Sequence, residues 1–305
     1  MASEASSPPR IRPRSPESGP GGPDPSGLRY LAPFAEADKL RSIRPSLPSD
    51  FLFTIFLEGQ GPLRRLRPAE LHAALRTRFP RPELIEDVRY SRSGLLLLKT
   101  RDFSTAQTAL ALTSLGDLSV WGRLAPECSQ TAYLLRGVDV SLTASEIYEM
   151  LTEAMLPVVE VRRFTRKLND RAEVTPSTTV YFSIASADPI ESVKLYYQRF
   201  RCERFYPKPR FCGRCLTFGH APASCRGRRR CLNCGEDHDS TGCSRPAEKC
   251  VRCRGPHRAD SPNCPAYLSE ARLLKLSVIH RCSHAEAKRL RPCGAIILCP
   301  GGGKA

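Results

Sequence analysis

The sequence predicts an α+β protein: one or two β-α-β-β-(α)-β modules, then a tandem array of small Cys/His knuckles, behind a disordered N-terminal arm. Three observations predict it. Strand-like and helix-like apolar patterns alternate between residues 51 and 207. Nine of the 14 cysteines fall between residues 212 and 264, with three histidines among them. Ten of the 27 prolines crowd into residues 1–50, where no periodic apolar pattern runs. The 305 residues therefore divide into the arm (1–50), a first module (51–127), a second, incomplete module (130–207), the knuckle array (210–265), a short basic helical tail (266–292) and a disordered end (293–305).

The first module opens with FLFTIFLEG (51–59), a strand by its β-branched and aromatic content. RPAELHAALRTRF (67–79) places Leu71, Ala74, Leu75 and Phe79 at helical spacing. ELIEDVRYSRSG and LLLLKTRDF read as a hairpin around Ser93-Gly94. STAQTALALTSLG (104–116) reads as a helix with Ser104 as N-cap and Gly116 after its last turn. DLSVWGRLA closes the module as a strand. The second module repeats the pattern with TAYLLRGVDV as a strand and a helix begun by the capping box Thr143-x-x-Glu146. VVEVRRFTRKLND and STTVYFSIAS are its next strands. Prolines at 189, 207 and 209 leave little room for a second helix, so 192–206 is expected to be partly extended.

Both modules resemble the RNA-recognition-motif fold, whose third strand stacks bases on aromatic side chains. The first module offers SGLLLLKT, with leucines at those positions, and reads as a packing, protein-contact or RNA-contact domain. The second offers Tyr133, Tyr181 and Phe182. Alternation allows only one of Tyr181 and Phe182 on the open face.

Charge is concentrated late in the chain. The net charge is +16; residues 201–265 carry 14 Lys/Arg against 6 Asp/Glu, and residues 266–305 carry 7 against 2. A basic field confined to one segment points to a polyanion as its partner. The N-terminus has no apolar run of signal-peptide length, and GLLLLKT (94–100) is far too short to span a bilayer. The expectation is a protein that is neither secreted nor membrane-bound, in a compartment where thiols stay reduced and clustered cysteines are metal ligands.

The cysteines and histidines write out three units in one order: Cys212, Cys215, His220, Cys225; Cys231, Cys234, His238, Cys243; and Cys250, Cys253, His257, Cys264. A C-x2-C turn lets two sulfurs reach one ion, and the following loop returns a histidine and a last cysteine to complete a tetrahedron. The expected cofactor is Zn2+, three ions per chain. Disulfides would strand three regularly placed histidines and leave an odd cysteine. Each unit fills four ligand positions, and the chain carries no catalytic motif, so these are expected to be structural sites in a protein that is not an enzyme. Around the ligands, Phe211 and Phe218 are candidates to stack on bases, with Arg210, Arg214, Arg226, Arg228, Arg229, Arg230, Lys249, Arg252 and Arg254 on phosphates. The run RGRRR (226–230) also reads as a nuclear-import signal.

With these parts in order, the chain resembles the gag-like, first-open-reading-frame protein of non-LTR retrotransposons. VRRFTRKLND, ESVKLYYQRFRCERFYPKPRFCGRCLTFGHAPASCRG, CLNCGEDHDSTGC and KCVRCRGPHRADSPNCPAYLSEARLLKL carry the resemblance, which covers residues 130–290 well and 51–127 only as a fold. It implies binding of single-stranded RNA or DNA, above all the element's own RNA, with chaperone activity and packaging into ribonucleoprotein in the cytoplasm or nucleus. It also implies self-association and a reverse transcriptase encoded downstream. A different class, a cellular or domesticated zinc-knuckle scaffold that binds proteins, shares the same motifs.

Overall fold

The computed structural model describes residues 22–24, 26–60, 63, 66–91, 94–167, 174–244 and 247–290. The expected disordered end (293–305), the first 21 residues of the arm and Ser93 of the expected hairpin turn lie outside these. The chain forms two compact units, Met1–Phe205 and Tyr206–Ala305.

The described part of the arm is not disordered, which corrects the expectation for residues 22–50. Strands β1 (Gly22–Pro23) and β2 (Arg29–Leu31) form a small hairpin. The Asp24 carboxylate accepts the backbone N–H of Leu28 at 3.0 Å and of Arg29 at 3.1 Å, and Gly27 turns the chain at φ +66°. Helix α1 (Glu36–Ile43) follows and buries Leu40 and Ile43 completely. Leu40, Ile43 and Leu47 sit at i, i+3 and i+7, an apolar stripe too short to show above the surrounding prolines.

The first module runs β3 (Phe53–Gly59), α2 (Pro68–Arg78), β4 (Ile85–Tyr90), β5 (Leu96–Thr100), α3 (Phe103–Leu110), β6 (Ser114–Leu115) and β7 (Leu118–Leu124). Its antiparallel sheet has the order β4-β5-β3-β7-β6, the split β-α-β interleave. Helix α3 is shorter than expected and starts earlier. Asp102, not Ser104, caps it, its carboxylate accepting the Thr105 N–H at 2.7 Å. The chain leaves the helix because Leu115 is drawn fully into the core from β6, and Gly116 then turns the β6–β7 hairpin at φ +58°. Gly122 lets α3 approach β7 closely: a Cβ there would fall within 2.6 Å of Leu110 Cα.

One helical turn, α4 (Pro126–Ser129), leads into the second module: β8 (Thr131–Leu135), α5 (Ala144–Glu153), β9 (Val158–Lys167), β10 (Val174–Ile184), β11 (Ser192–Leu195), β12 (Gln198–Arg201) and β13 (Glu203–Arg204). Helix α5 starts on the expected capping box, with Thr143 Oγ1 accepting the Glu146 N–H and the Glu146 carboxylate accepting the Thr143 N–H at 2.7 Å. The sheet order is β1-β2-β9-β10-β8-β13. The arm strand β2 thus pairs with β9 and covers what would be an exposed edge. Where a second helix would pack, the chain makes the β11–β12 hairpin.

The arm also ties the two modules together. Glu36 accepts the Leu124 N–H of β7 at 2.8 Å, and Ser46 Oγ accepts the Ala187 N–H of the second module at 2.7 Å. Inside the second core, Tyr133 and Phe182 stack with centroids 5.5 Å apart. Beside them lies a buried cation. Arg163, only 3% exposed, donates through Nη1 to Val138 O and Ser177 O and through Nη2 to Asp139 O and Leu142 O, at 2.7–3.2 Å.

The second unit carries the three knuckles and two helices, α6 (Pro265–His280) and α7 (His284–Arg289). Arg281 ends α6 in the left-handed region, and a Ser283/Glu286 capping box starts α7. Glu270 of α6 pairs with His284 of α7 at 2.7 Å.

Candidate metal centres and the basic surface around them

Each unit begins with the same backbone device. The N–H of the residue after the second cysteine (Leu216, Gly235, Arg254) bonds back to the carbonyl of the first cysteine at 2.8–2.9 Å. The N–H of the first cysteine bonds to the carbonyl two residues past the second (Thr217, Glu236, Gly255) at 2.8–3.0 Å. The residue after the second cysteine is left-handed in all three: φ is +59° at Leu216, +79° at Gly235 and +62° at Arg254. Only one of the three is the glycine such backbone favours, so closing the ring of ligands overrides the local preference. The returning loop brings in the histidine and last cysteine through short turns, one of them at Gly219 with φ +100°.

The ligand atoms converge as the sequence predicts. In Cys212/Cys215/His220/Cys225, Cys231/Cys234/His238/Cys243 and Cys250/Cys253/His257/Cys264, the four donor atoms all lie within 4.8 Å of one another. Cys264 Sγ is 3.7 Å from both Cys250 Sγ and Cys253 Sγ. That matches the edge, about 3.8 Å, of a tetrahedron with Zn–S bonds of 2.3 Å. Every histidine turns Nε2 to the cluster, 3.3 Å from Cys215, 3.1 Å from Cys234 and 3.0 Å from Cys253. In the second and third units Nδ1 donates to the Asp239 and Arg258 carbonyls at 2.8 and 2.7 Å, which fixes the tautomer a metal needs. Backbone N–H groups of Gly227, Asn233 and Gly255 point at Cys225, Cys231 and Cys253 Sγ. All described cysteines are free thiols. Three thiolates and one imidazole fit Zn2+, which when bound would cross-link each loop and supply the folding free energy that so small a core lacks.

In each of the first two clusters one thiol is prepared for this, while Cys225 and Cys234 beside them are pushed up, burial and the neighbouring thiols raising both. Burial would raise Cys215, but hydrogen bonds from Thr217 and from the Cys225 and Cys212 thiols hold it at about 6. Burial would also raise Cys231, which backbone N–H groups of Cys234 and Asn233 and the neighbouring thiols hold at about 6. Both start from 9.0, so their contribution is full above that value and is lost as pH falls through about 6. A chromophoric chelator should therefore see zinc release rise as pH falls and protons compete with the metal for the thiolates; release that ignores pH would contradict the ligand assignment.

The residues expected to touch nucleic acid divide into two groups. Phe211 and Phe218, both half-buried, each give one ring face to an arginine. They face each other across an isolated β-bridge, and the Arg252 guanidinium sits between them, 4.4 and 3.8 Å from the ring centroids. Arg252 also donates from Nε to Leu216 O, locking the third knuckle onto the first. Leu216, Leu232, Val251 and Tyr267 complete this small core with the cysteines. Replacing Arg252 with alanine should therefore weaken zinc retention at the first and third sites together. The loss of two cation–π contacts is worth about 1–2 kcal/mol, measurable in competition with a calibrated chelator. Loss at the third site alone would contradict the lock.

The other group is exposed. Arg210, Arg214, Arg226, Arg230, Lys249 and Arg254 lie on the surface without an ion pair among the described residues. Arg228 and Arg229 lean on Asp237 and Asp239 of the second knuckle, exposed pairs of little energetic weight. Arg226, Arg228 and Arg230 join Thr217, Val251 and Arg252 around a concavity of about 600 Å³ beside the first cluster.

Alternation admits only one of Tyr181 and Phe182 to the open face, and it is Tyr181. On the open face of the second module, Tyr181 lies under the Arg162 guanidinium at 5.0 Å and edge-on to Phe205 at 5.1 Å, and Arg162 also covers Phe164 at 5.4 Å. Phe182 took the core side. Arg162 pairs directly with Tyr181 in an unbroken stretch of the β9–β10 ladder, so strand alternation puts Glu160, Arg162 and Phe164 on the face of Tyr181, opposite Val161 and Phe182.

No family model matches the chain, and no curated protein matches it. Among solved structures, the first two RRM domains of yeast poly(U)-binding protein Pub1 are similar at 8% identity, covering 50% of this chain and 98% of that one, with a TM-score of 0.20. The C. elegans NONO-1 homodimer is similar at 13% identity over 78% of this chain and 84% of that one, with a TM-score of 0.23. A protein of unknown function from Galdieria sulphuraria matches at 13% identity, 44% and 80% coverage, and a TM-score of 0.18. At these scores the superpositions carry no weight; the α+β class, the RNA-recognition-motif-like topology and the three knuckles rest on strand order and ligand geometry.

Proposed function

We propose that this chain is a zinc-dependent, single-strand nucleic-acid-binding protein of retrotransposon gag type, without catalytic activity. It would package its element's RNA into ribonucleoprotein and act as a chaperone on it. The observation that carries the reading is the arginine-lined concavity beside the first zinc cluster, with unpaired cations around it on a scaffold that needs metal to form. Zinc would hold the knuckles in shape; Arg226, Arg230, Arg214 and Lys249 would meet phosphates. The chain's resemblance to the gag-like family supports the element's own RNA as ligand and a downstream-encoded reverse transcriptase as partner. Ultraviolet crosslinking in cells tests it: peptides from 205–258 joined to nucleotides are expected. Recovery of protein partners alone from that segment would favour the scaffold reading, which the engagement of Phe211 and Phe218 by Arg252 also favours.

A further inference from the structure

The β11–β12 hairpin presents an unusual tip. Tyr197 is fully exposed and Tyr196 is 59% exposed, adjacent aromatics with no ring contact among the described residues. Tyr196 adopts φ +48°, a left-handed conformation that a glycine or asparagine would enter with less strain. The inner face of the hairpin is ordinary: Val193 and Leu195 are buried in the second module's core, and Phe200 packs against it. Its outer face is not. Lys194 pairs across the hairpin with Arg199, and Arg201 lies two residues further along the same face. All three are exposed, and none has an ion pair among the described residues.

An outer face of cations and Ser192, with no aliphatic side chain, beside a tip of two exposed rings, is poor material for a protein interface, whose centre is depleted of charge. It suits a single nucleic-acid strand, where rings stack on bases irrespective of sequence and cations follow the phosphates. Cations on one strand face recur about every 6.7 Å, the scale of a nucleotide step in an extended strand.

We propose that this hairpin is a second single-strand nucleic-acid contact, in which Tyr196 and Tyr197 stack on bases while Lys194, Arg199 and Arg201 meet phosphates. The proposal rests on the reading of single-stranded nucleic acid as ligand, but uses none of the zinc-bound residues.

The test uses the full chain, zinc-loaded, with a fluorescent 30-nucleotide single-stranded RNA. A benzophenone amino acid in place of Tyr197 should crosslink to the RNA. The double variant Tyr196→Ala/Tyr197→Ala should bind roughly ten- to a hundredfold more weakly, given the usual strength of base–aromatic stacking. Lys194→Glu/Arg199→Glu should weaken binding and lower its salt dependence. Unchanged melting curves and zinc content show that each variant is folded, as the exposure of these side chains leads one to expect. Unchanged affinity in both variants with no RNA crosslink would overturn the proposal, as would a crosslink formed only to protein. Either result with binding still lost on chelation overturns the hairpin alone. A hairpin crosslink to RNA that survives chelation, with affinity unchanged, overturns the knuckle reading alone.

Discussion

Chelating the metal should unfold residues 206–264 while leaving the two β-α modules intact. The buried core of the knuckles is little more than Leu216, Ala259 and the cysteines, with Phe211, Leu232, Val251 and Tyr267 packed against it. Burying four or five such groups stabilises by several kcal/mol, at about 25 cal/mol per Å², far below the ordering entropy of some fifty loop residues. Zinc binding of roughly 10–16 kcal/mol per site is the term that closes the gap. The first unit has its own extensive cores and no cysteine ligands, so it should be indifferent to chelator. Hydrogen exchange read by mass spectrometry separates the two: protection should collapse across 206–264 and persist across 53–184. Protection that survives chelation in the knuckles would mean that the metal is not structural.

Arg163→Ala should produce the largest loss in the first unit. The side chain is 3% exposed and offers its donors to four backbone carbonyls on two different segments, the β8–α5 loop and β10. Burial lowers its pKa, yet the carbonyl cage and nearby Asp139 keep a charged guanidinium in place. Removing it leaves those carbonyls facing a cavity, and a broken buried charged network costs about 3–5 kcal/mol. Arg163→Lys should recover only part, because an ammonium cannot span two pairs of carbonyls with a planar fork. Urea denaturation gives the numbers; a loss under about 1 kcal/mol would show that water replaces the guanidinium without cost.

What the sequence shows plainly is whatever one segment can specify by itself. Cysteine and histidine spacing is such a feature, because all four ligands of each site come from one short loop, and the ligand sets read in order are the sets that converge. The strand–helix order of the first module is another, set by local periodicity. Contacts between distant segments are not legible in this way. Nothing near Phe211 signals that Arg252, two knuckles later, will fill the space between its ring and that of Phe218. Equally, three residues at 29–31 carry no strand signal until β9 offers them an edge. Which of Tyr181 and Phe182 turns inward is likewise decided across strands, where Phe182 pairs with Val161 and Tyr133 of the core.

The most direct test of zinc-dependent strand binding is the affinity for single-stranded RNA as a function of salt, with and without an intact first knuckle. Each phosphate neutralised should add about −0.7 to the slope of log K against log salt, so engagement of four to six of the free cations predicts a slope of roughly −3 to −4. Cys212→Ser/Cys215→Ser should lower both affinity and slope. A flat salt response, or binding undiminished in that variant, would contradict the account.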